Sequence, residues 1–291
     1  MELAQQVLSG LAQGCVYGLI ALGFVLIYKA TEAVNFAQGE MLMLGAFGCL
    51  ALMRFAGLPF AAAAVLAVAG MGALGALVER VALRPLLGQP QFAVVMLTIG
   101  LGYVARGLVS MIPEIGPETN ALDTPYKGLA LRAFGLVVSA DHVAIVATTL
   151  TLCATLNLLF KYTRIGVAMQ AASQNQLAAH YMGIPVKRLN GLAWALSGAV
   201  AACAGILIAP IVFVHMNMGY IGLKAFPAAV VGGFGSMPGA IVGGLVVGVT
   251  ESLAGFYLPE GFKDIAAYVV VLAMLVVKPT GLFGETLRKK V

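Results

Sequence analysis

Asn35, Gln38 and Glu40 fall within one turn or two at the start of a long apolar run. Arg106 lies inside another such run and Glu251 inside a third. A charge at the centre of a bilayer costs roughly 2.5–3.5 kcal/mol on insertion scales, so such groups face protein or water. For Glu40 and Glu251 three roles stand side by side: lining a pathway, pairing with another chain or helix, or snorkelling to the surface. Arg106 sits near the end of its run and is expected to snorkel to the surface. A helix starting near residue 34 would present free N–H groups and a positive dipole end to whatever it faces. That chemistry suits a solute bearing a carboxylate.

Catalytic patterns are not found beside these groups. The chain has no Gly-Lys dipeptide, hence no phosphate loop of the Walker type, and neither HExxH nor GxSxG. His142, His180 and His215 are scattered. Cys15, Cys49, Cys153 and Cys203 lie far apart in apolar stretches and fit small packing residues better than a metal site or disulfides. A transport role is expected rather than an enzyme, with no metal and no cofactor held by this chain.

The elements that must position these residues follow from composition. The 291 residues are 61% hydrophobic and 10% charged, with mean hydropathy +0.98. A soluble surface needs about 25% charged residues. An all-α polytopic membrane protein follows, a single transmembrane domain over 1–291 with about eight transmembrane helices. Apolar spans fall near 3–27, 34–55, 60–79, 92–112, 142–160, 190–213 and 264–277, each near the ~20 residues a crossing needs. The first is expected to be a true membrane helix and not a cleaved signal. Of the net charge of +5, basic residues gather at Arg80 and Arg84, at Lys161, Arg164, Lys187 and Arg188, and at Lys278, Arg288, Lys289 and Lys290. These segments are expected to be cytoplasmic and the mixed loop 113–141 external, which places the N-terminus outside and the C-terminus inside. Nothing in this distribution points to nucleic acid.

The region 222–257 must enter and return. Gly232-Gly233-Phe234-Gly235-Ser236-Met237-Pro238-Gly239 interrupts it, and a first arm of about 224–234 covers only ~16 Å. A broken or re-entrant segment near 224–240 is expected, tolerated only where buried or lining a wet cavity; the alternative is a tight turn near the cytoplasmic surface. The 34–46 stretch and this hairpin then shape the path, with Asn35, Gln38, Gly39, Glu40, Phe226, Gly233, Gly235, Ser236, Gly239 and Glu251 as pathway candidates. Small residues recur as Gly10, Gly14, Gly18 and as Gly235, Gly239, Gly243, with Gly244 and Gly248 beside them. Such spacing lets helices approach closely. The stretch 35–46 also echoes 233–244 weakly, each placing a polar, glycine-containing break before an apolar run.

One polar island remains, TRIGVAMQAASQNQLAAHYMGIPVKR at 163–188. As a helix it sets Ala168, Ala171, Asn175, Ala178, Ala179 and Met182 on one narrow face of small residues. Gly183 and Pro185 stop it. Large apolar residues are scarce, so the helix is not expected to bury itself; it suits docking to a cytoplasmic partner, or a solvated connector.

The island is similar to the coupling loop of ABC-importer permeases, from Ala171-Ala172 to Gly183-Ile184. Along nearly its whole length the chain resembles the branched-chain amino-acid (Liv-type) permease family. The resemblance is carried by Gly18-Leu19-Ile20-Ala21-Leu22-Gly23, by Val34-Asn35-Phe36-Ala37-Gln38-Gly39-Glu40 and by Thr163-Arg164-Ile165-Gly166. It continues in Lys224-Ala225-Phe226-Pro227-Ala228-Ala229-Val230-Val231-Gly232-Gly233, in Gly235-Ser236-Met237-Pro238-Gly239-Ala240 and in Lys278-Pro279-Thr280-Gly281-Leu282-Phe283-Gly284. It implies a bacterial inner-membrane subunit that works with a second related permease, two cytoplasmic ATPases and a periplasmic or extracellular substrate-binding protein. ATP and Mg would bind the ATPases. The coupling residues would be Arg164, Gly166, Ala168, Ala171, Ala172, Asn175, Ala178, Ala179, Gly183 and Ile184. Ser173 stands after the alanine pair and no Glu is present, unlike the acidic Glu-Ala-Ala form of such loops. The family merges into amide and urea permeases. An ion-coupled secondary transporter acting alone is the rival from another class; it would need no docking helix.

Overall fold

The computed structural model describes residues 2–86, 89–133, 136–259 and 261–284; the expected basic residues Arg288, Lys289 and Lys290 lie outside them. In chain order the helices are α1 (Glu2–Thr31), α2 (Gln38–Phe55), α3 (Phe60–Val78), α4 (Gln91–Ser110), α5 (Ala140–Tyr162), α6 (Arg164–Gln174), α7 (Gln176–Tyr181), α8 (Val186–Val212), α9 (Tyr220–Gly232), α10 (Met237–Tyr257) and α11 (Phe262–Val277). A π turn (Glu79–Leu83) and a 3-10 turn (Arg84–Leu86) continue α3. Length and composition single out six crossing helices: α1, α3 with its extension, α4, α5, α8 and α10. The chain is thus an all-α polytopic membrane protein. Its 113–141 loop adds one short antiparallel hairpin, β1 (Ala130–Ala133) with β2 (Leu136–Ser139).

α1 is apolar on every side and lies at the centre, buried without a gap from Gly14 to Ile27. α3, α4 and α5 instead bury single stripes, such as Ala63, Ala67, Met71 and Gly75 at helical spacing. The rest of their surface is apolar and exposed, as lipid or another membrane subunit requires.

Glycine sets the closest packing. A methyl group at Gly14 would stand 2.8 Å from Gly244 O and Leu245 Cα, and one at Gly10 would stand 2.8 Å from Val249 Cα. Groups at Gly244 and Gly248 would strike the backbone of Gly18 and Gly14. The series Gly10, Gly14 and Gly18 therefore faces Gly244 and Gly248 across α1 and α10, whereas Gly239 and Gly243 of the second series pack on α9 instead. Gly75 and Gly198 do the same between α3 and α8, against Trp194 O and Met71 O. The spacing Gly70-Met71-Gly72-Ala73-Leu74-Gly75 has the form of a dinucleotide loop, but it lies within α3 with no strand before it.

One end of the bundle is basic. Arg84 Nη2 donates to Lys187 O at 3.4 Å, Gln176 Nε2 to Ala30 O at 2.7 Å and Gln91 Nε2 to Glu32 O at 3.4 Å. The ends of α1 and α3 and the starts of α4, α7 and α8 are so joined. The break expected near 224–240 occurs between Gly232 and Met237, and it lies at this basic end, beside Tyr28. Ser236 caps α10 by accepting from Gly239 N at 3.1 Å. The segment 280–284 clasps the turn: Leu282 N and Phe283 N donate to Val231 O and Gly232 O at 2.8 and 3.1 Å. Gly233 (φ +96°) and Gly281 (φ +80°) adopt backbone angles that suit glycine; a side chain on Gly281 would begin 2.7 Å from Gly233 Cα, and one on Gly233 would begin 2.8 Å from Gly284 N and 2.9 Å from Thr280 O. The two motifs quoted separately from the sequence are one contact.

Replacing Gly244 with Val is expected to destabilise the protein by roughly 1–3 kcal/mol or to abolish its accumulation, because only backbone could yield. Gly100→Ala, mid-helix with no described atom outside its own helix backbone within 4 Å of the added methyl, is expected to be tolerated. Thermal unfolding of the two purified variants in detergent checks the contrast.

Candidate functional site

Two helices begin at mid-height, and their starts meet. After α1 the chain turns at Glu32 (φ +54°), and after α8 at Phe213 (φ +63°). A non-glycine residue in this region costs about 1–2 kcal/mol, and here each reverses the path of a long helix. Residues 33–37 lead back into the bundle to α2. Residues 214–219 do so from the opposite end to α9, fixed by paired backbone bonds between Val214 and Asn120 at 2.9 and 2.8 Å. Gly39 in the first turn of α2 then crosses the start of α9: a methyl group on it would overlap Gly219 O, and one on Gly222 would overlap Gly39 Cα. At 13 residues α9 reaches ~20 Å, enough to run from mid-height to the basic end and no more. The structural counterpart of 35–39 is therefore 217–222, not the 233–244 stretch that the sequence echo singled out.

A buried polar knot holds the first of these returns. Asn35, Gln38 and Ser197 are fully buried. Asn35 Oδ1 accepts from Ala37 N at 3.0 Å and its Nδ2 donates to Gln38 Oε1 at 3.3 Å. The Ser197 hydroxyl lies 2.9 Å from both Gly23 O and Gln38 Oε1, so its proton serves one of them at a time. Gly23 leaves the space that the Gln38 amide fills. Irregular backbone inside a bilayer needs such partners. Asn35 and Gln38 thus lock α2 to α1 and α8, a positioning task.

Glu40, next on α2, does face a different set. Its carboxylate pairs with Arg106 of α4, whose Nη1 donates to Tyr220 Oη at 3.2 Å and whose guanidinium stands 4.7 Å from the Tyr220 ring centre. Arg106 does not snorkel; the crossing at Gly39 carries Glu40 to it. The same carboxylate lies over Gly219 at the start of α9, so it meets the positive ends of two helices. Thr98, Gly102 and Arg106 form one face of α4 along this seam: Phe36 N donates to Thr98 Oγ1 at 3.2 Å, and Glu40 packs on Gly102. Toward the basic end follow rings. Phe226 lies 5.9 Å from Phe36, 5.7 Å from Phe24 and 5.5 Å from Phe234 between centres.

The remaining pathway candidates fall into two other places. Gly233, Gly235, Ser236 and Gly239 belong to the clasped turn at the basic end. Glu251 is buried on α10, 3.9 Å from Lys224 Nζ, which also pairs with Asp264 of α11.

The island 163–188 is two helices, not one. Thr163 caps α6 by accepting from Gly166 N at 3.0 Å, and Asn175 breaks it to cap α7, accepting from Ala178 N at 2.9 Å. The expected continuous face is therefore divided. Ala172 and Ala179 turn inward with Met169 and are buried, so this hairpin does pack on the bundle; Gly166 lies tight on Leu159 O and Phe160. Ala171, Ala178 and Arg164 stay exposed, Ala168 and Ile184 half-buried. The outermost side chains are larger than expected: Tyr181 is 79% and Met182 82% exposed, with Leu177 beside them. Gly183 ends the hairpin at φ +82°, and Ile184 N donates back to Ala179 O at 3.0 Å.

Sequence reasoning passed over Glu79. It is buried at the end of α3, bonded to Arg84 at 2.9 Å and lying on Gly191 of α8. Its neighbours Arg80 and Arg84 disguise it as part of a basic loop; the signal was a lone carboxylate beside a bidentate partner. Arg84→Ala is expected to lower stability by about 2 kcal/mol, a buried-pair loss discounted because Arg84 is partly exposed. The double variant Glu79→Gln/Arg84→Gln is expected to lose less. Melting temperatures of both proteins in one detergent decide it.

A family model described as the permease component of the branched-chain amino acid transport system matches residues 6–278. The high-affinity branched-chain amino acid transport system permease protein LivH of Escherichia coli (strain K12) is 31% identical, the match covering 99% of this chain and 97% of that one. BraD of Pseudomonas aeruginosa, of the same description, is 30% identical over the same shares. A probable LivH of Methanocaldococcus jannaschii is 30% identical over 93% of this chain. No solved structure matches. The chain belongs to the family of branched-chain amino acid transport system permease components.

Proposed function

We propose that this chain is the membrane permease subunit of an ATP-driven importer of branched-chain or related hydrophobic amino acids. It would work with a second related permease, two cytoplasmic ATPases that bind ATP and Mg, and a substrate-binding protein outside the inner membrane. The observation that carries the reading is the α6–α7 hairpin. It stands out at the basic end with an apolar tip of Leu177, Tyr181 and Met182. Its inner face is fastened to α1 and α5, since Gln176 donates to Ala30 O and Gln170 to Phe160 O at 3.2 Å. A tip fixed at its base can transmit force. The positive-inside rule places that end in the cytoplasm, hence the C-terminus inside and the N-terminus outside.

Affinity purification of the chain from its native membrane in mild detergent is expected to retain two ATPases and a second permease. A chain that emerges alone and transports without ATP would overturn the reading in favour of an ion-coupled carrier.

Gly183→Trp is expected to insert normally yet lose ATP-coupled uptake at least tenfold, because φ +82° disfavours any L side chain and the hairpin end must shift. Uptake in vesicles at matched membrane content checks this.

A further inference from the structure

The Glu40–Arg106 pair differs from the other charged contacts of the bundle. It is neither sealed nor free, with side chains 14% and 22% exposed. Each partner keeps an atom that forms no hydrogen bond among the described residues, Glu40 Oε2 and Arg106 Nε. Beside it Tyr220 is half exposed, and the seam continues from it to the half-buried rings of Phe36 and Phe226. A carboxylate, a guanidinium and an apolar wall thus occur in sequence at mid-height, where a charge without a partner is costly.

We propose that this pair is the subsite for the head group of a zwitterionic α-amino acid. Arg106 takes the α-carboxylate through its planar fork, Glu40 takes the α-ammonium, and the apolar side chain points along Phe36 and Phe226. The inference rests on the reading that the chain passes hydrophobic amino acids. The charge arithmetic favours it. A closed pair is neutral and so is the zwitterion; once the solute is bound, one ion pair has become two and every charge is matched. An uncharged amide has no carboxylate to offer Arg106 and would have to open the pair without replacing it.

The test uses the whole complex in proteoliposomes, with its binding protein and ATPases, and follows ATP-driven uptake of labelled L-leucine. Glu40→Gln/Arg106→Gln keeps a neutral hydrogen-bonding pair. Co-purification of the ATPases with uptake reduced about tenfold or more is expected. Wild-type uptake by this assembled variant overturns the proposal. Should the double variant fail to assemble, Arg106→Lys decides: it keeps the charge and loses the fork. A raised half-saturation for leucine with intact assembly supports the subsite, and wild-type kinetics overturn it. Failure of the underlying reading is distinguishable, because a wild-type complex that imports an uncharged amide and not L-leucine is already aberrant before any substitution.

Discussion

Two backbones touch at mid-height because no side chain stands between them. Where Gly39 crosses Gly219 and Gly222, the starts of α2 and α9 approach more closely than any other residue type allows. Much of the architecture serves this crossing. Long α1 and α8 run past it, and their ends turn at Glu32 and Phe213 to bring the chain back. The Asn35–Gln38–Ser197 knot fixes one return, and the Asn120–Val214 bridge anchors the other. The two helices then leave in opposite directions, α2 away from the basic end and α9 toward it. Their positive ends stay together, which is why Glu40 lies there and why a guanidinium from α4 reaches it.

The basic end is joined to that crossing by short, stiff steps. Met169 and Ala172 of α6 line a small cleft with Leu26 of α1 and Met237 at the start of α10. α10 lies on α9 through Gly243 against Ala228 O and Gly232 against Gly239 O. α9 is a single short helix from this hairpin to Tyr220. Beyond the side chains of that cleft, the contacts between α10 and α9 are backbone on backbone at Gly232, Gly239 and Gly243.

The helical class, the span limits and the break after Gly232 were legible because composition and glycine are local signals. So was the value of Asn35, Gln38 and Glu40: polar groups in an apolar run have to be used for something. Partners were less legible. Gly10, Gly14 and Gly18 declare a close contact, but a one-dimensional pattern does not say with what. Arg106 lies near a helix end, where snorkelling is the ordinary outcome; only the inward return of α2 brings a carboxylate to it. Depth was legible only as two alternatives, a midplane break or a turn at the surface. The glycine-rich stretch at 232–239 looks like the interruption at the membrane's middle, while the true mid-height starts follow Glu32 and Phe213, residues with no such appearance. In the 163–188 hairpin, helical spacing assumed one continuous helix, and Asn175, a strong cap, divides it.

The clasp of residues 280–284 over the α9–α10 turn has a consequence for biosynthesis. The ribosome delivers α9 and α10 well before it delivers their fastening, and α11 is made in between. During that interval Gly233 has no Thr280 or Gly284 against it, and the carbonyls of Val231 and Gly232 lack the N–H groups of Leu282 and Phe283. The hairpin is inserted first and locked last. Final adjustment of α9, and with it the mid-height crossing, follows the delivery of 280–284, when the hairpin is already made.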